Sequence, residues 1–175
     1  MRFVIGIFIF TFTICFGQEF QIREQKEIAG FENYVYHAKF SPFRNYFAVS
    51  TGNNEIFLYD KDWKVIWSYK GNKDHHASDI AFSPDEKQLI FTRYRTDHDL
   101  AIFDIESKNI SQFFNEHTYL LNGMDISNSG KYLATGGSDY ALKIWKNDHG
   151  SWTLYQNIVD HTETIKSVAF NQKGN

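Results

Sequence analysis

A short strand end followed by a turn recurs four times in this chain. Phe40-Ser41-Pro42, Phe82-Ser83-Pro84, Ile126-Ser127-Asn128 and Phe170-Asn171-Gln172 stand 42, 44 and 44 residues apart. A second marker keeps the same phase: Tyr59-Asp60, Phe103-Asp104 and Trp145-Lys146, spaced by 44 and 42 residues. A period of this length, filled with short apolar runs and tight turns, predicts an all-β chain in which each repeat is one four-stranded antiparallel blade of a β-propeller. The composition agrees. Aromatic residues make up 18% of the chain, 17 of them Phe, and such side chains suit a pleated, half-buried surface. The only two prolines, Pro42 and Pro84, lie in the repeated turn, where they remove no hydrogen bond from a sheet ladder.

The third unit shows the blade most completely. Leu121–Ile126 reads as a first strand and Asn128–Lys131 as a turn in which Gly130 takes positive φ. Tyr132–Thr135 is the second strand, Gly136–Asp139 the second turn, Ala141–Trp145 the third strand and Trp152–Val159 the fourth.

This unit, from His117 through Ile126-Ser127-Asn128-Ser129-Gly130-Lys131-Tyr132-Leu133-Ala134-Thr135-Gly136-Gly137-Ser138-Asp139 to Leu142-Lys143-Ile144-Trp145, resembles the WD repeat without a gap. The resemblance implies a buried hydrogen-bond network of His117, Thr135, Asp139 and Trp145. It also implies that His161, nine residues before Phe170 as His117 is before Ile126, opens a fourth unit. The first two units are more degenerate: Phe31 stands where an opening His is expected. In unit two the second turn lengthens through Tyr94–Asp99, and His75-His76 is out of register.

The domain reading follows from these marks. Residues 33–175 form the propeller portion, with blades at about 33–74, 75–116 and 117–160 and the start of a fourth at 161–175. Three full blades are fewer than the four to eight that close a ring, so a fragment or the N-terminal part of a longer protein is expected. Residues 18–32 read as one N-terminal strand, a candidate closing strand of the last blade. Residues 1–17 read as a signal peptide: Arg2, an apolar run from Phe3 to Phe16, and cleavage after Gly17. The run is short beside the roughly 20 residues of a membrane span, so no span is expected after cleavage; a retained N-terminal anchor is the alternative. The expected location is therefore periplasmic or extracellular. Cys15 is the sole cysteine, and its loss on cleavage excludes disulfides and thiol chemistry.

No motif for catalysis emerges. The net charge of −3 gives no nucleic-acid footprint. Asp74-His75-His76 and Asp97-His98-Asp99 read as solvated loops rather than metal ligands, and no cofactor is expected. Gly136-Gly137-Ser138-Asp139-Tyr140 lacks the second glycine of a nucleophile elbow. Asn109-Ile110-Ser111 is a glycosylation sequon in a eukaryotic setting. Binding is the stronger expectation, since propeller relatives engage partners through the loops before the first strand and between the second and third. Those loops supply Tyr34, His76, Arg93, Tyr94, Arg95 and Leu120 as candidates for protein contact. The function expected is a non-enzymatic, exported scaffold that binds a protein or peptide. A sensory propeller fused to an enzyme domain past Asn175 is an alternative. So is a periplasmic propeller similar to the Tol type, whose Phe-Ser-Pro-Asp pattern resembles Phe82-Ser83-Pro84-Asp85.

Overall fold

The computed structural model describes residues 5–12, 22–71, 79–93, 100–171 and 173, and every regular element among them is a strand. Three four-stranded antiparallel sheets follow one another along the chain. The first holds β3 (Val35–Phe40), β4 (Tyr46–Thr51), β5 (Glu55–Asp60) and β6 (Val65–Lys70). The second holds β7 (Ile80–Phe82), β8 (Gln88–Thr92), β9 (Leu100–Asp104) and β10 (Asn109–Phe114). β11 (Leu121–Ile126), β12 (Tyr132–Gly137), β13 (Leu142–Asp148) and β14 (Ser151–Ile158) make the third. Each sheet is a meander in which sequence neighbours pair, as blade architecture requires.

The recurring anchor has a physical reason. Phe40, Phe82 and Ile126 end the first strand of each blade, and the serine after each is buried. Its hydroxyl accepts the N–H that opens the next strand: Tyr46 to Ser41 at 2.9 Å, Gln88 to Ser83 at 2.9 Å and Tyr132 to Ser127 at 3.0 Å. The fourth residue past the anchor takes a left-handed conformation each time, at φ 61° for Arg44, 57° for Glu86 and 69° for Gly130. Only the third blade places glycine there, where no Cβ opposes that backbone. The serine bond and the flanking ladder hold the other two.

Blades bury their faces against one another. β8 and β9 are buried along their apolar length, so side chains alternate between the two neighbours. Leu89, Phe91, Ala101 and Phe103 face Ala48, Ile56 and Leu58 of the first blade. Ile90, Leu100 and Ile102 face Leu121, Met124, Leu133, Trp145 and Trp152 of the third. Trp67 stacks on Phe103 with centroids 3.8 Å apart, and Phe114 tilts against Trp145 at 4.6 Å.

Polar bonds cross the same seams. Asp79 lies within 3.4 Å of Lys39 and 3.5 Å of His37 in the first blade, and accepts the Met124 N–H of the third at 3.0 Å. One carboxylate thus ties three blades at their innermost strands. Glu86 reaches back to accept the Phe43 N–H at 2.5 Å and the Asn45 amide at 2.7 Å. Gln88 accepts from Trp152 Nε1 and donates to Gly150 O, both at 2.8 Å.

β1 (Ile5–Phe12) and β2 (Ile22–Phe31) pair antiparallel as a separate two-stranded sheet. Within the segment 18–32, read from the sequence as one N-terminal strand, the described residues form β2, whose pairing partner is β1. Ile28 and Phe31 of β2 pack on Phe47, Val49 and Tyr59. β2 therefore stands to the first blade as β6 stands to the second and β10 to the third. Residues 159–171 form no strand among the described residues. They are tied to the third blade instead, by Ile165 N–H to Gly137 O at 3.1 Å and Phe170 N–H to Asp125 at 2.7 Å.

Phe103→Ala empties a fully buried site in the first seam and should cost about 3–5 kcal/mol in urea denaturation. Val65→Ala, on an exposed position of β6, should change stability by under about 0.5 kcal/mol. Equal effects from the two would contradict this seam.

Candidate functional site

One rim of the molecule gathers the loops before each first strand and between each second and third strand. On the third blade that rim is organised by four side chains. His117 Nδ1 lies 3.0 Å from both carboxylate oxygens of Asp139, and Nε2 lies 2.8 Å from Thr135 Oγ1. Trp145 Nε1 donates to the same hydroxyl at 2.9 Å. The His117 side chain is fully buried and that of Asp139 is 6% exposed. A neutral imidazole with its hydrogen on Nδ1 satisfies every member. Trp145 donates to Thr135, Thr135 donates to Nε2, and Nδ1–H donates to Asp139.

Asp139 also organises backbone. Its oxygens accept the N–H of Thr118 at 3.0 Å and of Ala141 at 3.3 Å. Burial pushes its carboxyl upward. The hydrogen bond from His117, with the Thr118 and Ala141 N–H groups, outweighs burial and holds it below the ordinary Asp value.

The other blades place apolar or aromatic side chains where Thr135 and Trp145 stand. Counted from the anchors, Phe31, Val49 and Tyr59 take the places of His117, Thr135 and Trp145, and all three lie in the cluster beneath β2. In the second blade Phe91 and Phe103 take the places of Thr135 and Trp145, against Trp67. Asn53, at the place of Asp139, accepts from Asn33 Nδ2 at 2.7 Å. His161, in register with His117, is exposed.

The candidate contact residues fall in different settings. Tyr34 is exposed at the rim, its ring edge-on to Tyr36 at 5.1 Å and the two hydroxyls 3.4 Å apart. That hydroxyl contact, with burial second, pushes Tyr36 up to about 12. Leu120 is half-buried, and its carbonyl accepts the Ser138 N–H at 2.6 Å. Arg93 lies in the first seam, donating Nε to Tyr69 at 2.9 Å with its guanidinium 5.1 Å from the Phe113 ring centre. His76, Tyr94 and Arg95 lie outside the described residues, as do the Asp74-His75-His76 and Asp97-His98-Asp99 clusters. Among the described residues no group of three or more His, Cys, Asp or Glu is placed to hold a metal ion. Sequence reasoning missed Tyr119 and Tyr140, which stand exposed beside His117 and Asp139. Their adjacency to the network was the available signal.

The opposite rim carries a groove of about 520 Å³ between the second and third blades, with Lys87 and Lys131 beside Asp85 and Asp104. Its acids are taken up by their own turns: Asp85 accepts from Ser83 at 2.6 Å and Asp104 from the Ser107 N–H at 2.7 Å.

Comparison with known proteins adds a family. The anaphase-promoting complex subunit 4 WD40 domain family matches residues 38–122, and the WD domain, G-beta repeat family matches residues 108–146. An uncharacterized WD repeat-containing protein of Synechocystis sp. is 24% identical over 151 residues, which cover 85% of this chain and 42% of the relative. The Protein SEC13 homolog of Drosophila melanogaster is 21% identical over 63% of this chain and 36% of its own length. The COMPASS component SWD3 of Saccharomyces cerevisiae is 30% identical over 57% of this chain and 30% of its own. The chain spans well under half the length of each of these relatives.

Thr135→Val keeps the side chain's shape and strips the hydroxyl shared by His117 and Trp145. Each buried group left unsatisfied costs about 1–3 kcal/mol, so urea denaturation should show a loss within or above that range. Acid dependence gives a separate check. The folded-state carboxyl of Asp139 is depressed, so its stabilisation is complete above the unfolded value of about 3.9 and disappears as pH falls through the lower folded value. Asp139→Asn should flatten the fall of stability with pH in that range; an unchanged slope would mean the carboxylate is not held as described.

Proposed function

Because the chain belongs to the WD-repeat family, we propose that it is a non-enzymatic protein-interaction scaffold that holds rim loops in fixed positions for a protein or peptide partner. The observation that carries this reading is the Asp139 carboxylate, bonded at once to His117, Thr118 and Ala141. It fixes the loop before β11 and the turn after β12 relative to each other. Loops ordered before a partner arrives lose little entropy on binding, so more of the contact energy appears as affinity. The names of the relatives fit: that of the yeast protein makes it a component of COMPASS.

We also propose that the chain is exported. The support is the segment Arg2 to Gly17, with one basic residue, a 14-residue apolar run and small residues at positions 15 and 17. Removal of that segment would take β1 from the edge of β2.

Photo-crosslinking in the source cells tests the scaffold role. A benzophenone amino acid at Tyr34, on the network rim, should give discrete protein adducts; at Lys64, on the opposite rim, it should give none. Adducts at neither position would oppose the scaffold reading. For export, N-terminal sequencing of the mature chain should begin at Gln18, and intact Met1 in a soluble cytosolic pool would refute it.

A further inference from the structure

Tyr119 and Tyr140 are exposed at 71% and 43%, and each flanks a member of the buried network. Tyr119 lies two residues after His117, and Tyr140 directly follows Asp139. The backbone beside both is bonded to the one Asp139 carboxylate, through Thr118 and Ala141. Tyr140 sits at φ 64°, a left-handed conformation that bulky side chains rarely adopt. The equivalent position of the first blade carries Asn54 at φ 58°, a residue type that suits it better. An exposed ring is thus held at a disfavoured backbone position by its turn, whose Tyr140 N–H bonds Gly137 O at 3.3 Å.

The surroundings define what these rings can receive. Segments 116–120, 137–141 and 158–165 meet at this end of the blade. Ile165 N–H bonds Gly137 O at 3.1 Å, Ser138 N–H bonds Leu120 O at 2.6 Å, and Asn122 Nδ2 bonds Ile165 O at 3.1 Å. The three segments contain no Lys or Arg, while Glu116, Asp160 and Glu163 are exposed within them. Of the two lysines of β13, Lys143 is buried and donates to Asn157 at 3.0 Å, while exposed Lys146 pairs with Tyr132 toward the other end of the blade. The surface is therefore aromatic and on balance acidic, its exposed basic side chains being His161 and, just beyond Ile165, Lys166.

We propose that Tyr119 and Tyr140 anchor a docking surface for a lysine- or arginine-bearing segment of a partner protein, which gives the scaffold reading above a partner chemistry and rests on it. Tyrosine offers a large rigid contact area at small entropic cost. Its ring face attracts an ammonium or guanidinium group, and the three carboxylates draw the cation in and disfavour acidic segments. Pre-fixing of both loops by Asp139 keeps the rings in place before contact.

Fluorescence anisotropy with the full chain tests this. The probe is a labelled decapeptide of alternating glycine and arginine, with a glycine–glutamate decapeptide as comparator. The arginine peptide should bind and the glutamate peptide should not. The double variant Tyr119→Ala/Tyr140→Ala leaves net charge unchanged and should weaken binding by about tenfold or more. Tyr119→Phe/Tyr140→Phe should retain it, and Glu116→Gln/Glu163→Gln should weaken it and reduce its salt dependence. Equal affinity of the alanine double variant and the parent, absence of arginine-peptide binding, or equal binding of the glutamate peptide would each overturn the proposal. These outcomes are separate from the crosslinking result. Rim adducts without peptide binding would leave a scaffold whose partner is not recognised in this way.

Discussion

The stacking of Trp67 on Phe103, 3.8 Å between centroids, marks the contact on which the rest of the molecule depends: one sheet face closing over the next. A four-stranded sheet has two faces, and neither can be left apolar in water. The second blade meets this by burying both, with Phe91 and Phe103 toward one neighbour and Ile90 and Ile102 toward the other. Each large side chain so buried contributes about 1.5–3 kcal/mol, so the seams outweigh any single polar bond that crosses them. The polar bonds decide register instead. Asp79, Glu86 and Gln88 each find partners only when neighbouring blades sit at one height and one angle.

Two chemistries occupy the same structural position. In the third blade, Thr135 and Trp145 join His117 and Asp139 in a closed hydrogen-bond chain. In the first, Val49 and Tyr59 at those places pack against Phe31, and in the second Phe91 and Phe103 pack against Trp67. Both arrangements fill the space, and apolar replacement of a buried polar group is often near neutral when shapes match. The difference lies in what each one holds. Apolar packing is indifferent to the backbone above it, whereas the Asp139 carboxylate bonds directly to rim N–H groups. A polar network is therefore where rim geometry is specified.

Much of the fold was legible because its determinants are local. Phe40, Phe82 and Ile126 end the first strands, and the serine that follows each one closes its own turn through a bond five residues long. His117, Thr135, Asp139 and Trp145 were found through family resemblance, and the geometry brings them together. What stayed hidden runs between repeats. Asp79 reaches 45 residues to Met124, and Gln88 reaches 64 to Trp152; a reading within one unit contains neither partner. Phe170 carries the anchor's sequence phase without its strand, since a strand is a property of a pair. Arg93 read as a rim anchor, but its stem and guanidinium are taken up by Tyr69 and Phe113 in the seam.

The reach of the inter-blade bonds carries a consequence for how the molecule opens. Glu86, Asp79, Gln88 and Gln112 link only blades adjacent along the chain, at separations of 40 to 64 residues. Coupling of this kind is nearest-neighbour, so one seam can loosen while the other stays shut. The second blade is clamped on both sides, and its amides exchange with solvent only after a neighbour has left. Gln88 and Gln112 hold the third blade to the second, and Ile165 and Phe170 tie residues 159–171 to the third. Loosening at the seam beside the third blade frees the rim that displays Tyr119 and Tyr140, and whatever grips that rim also slows that step.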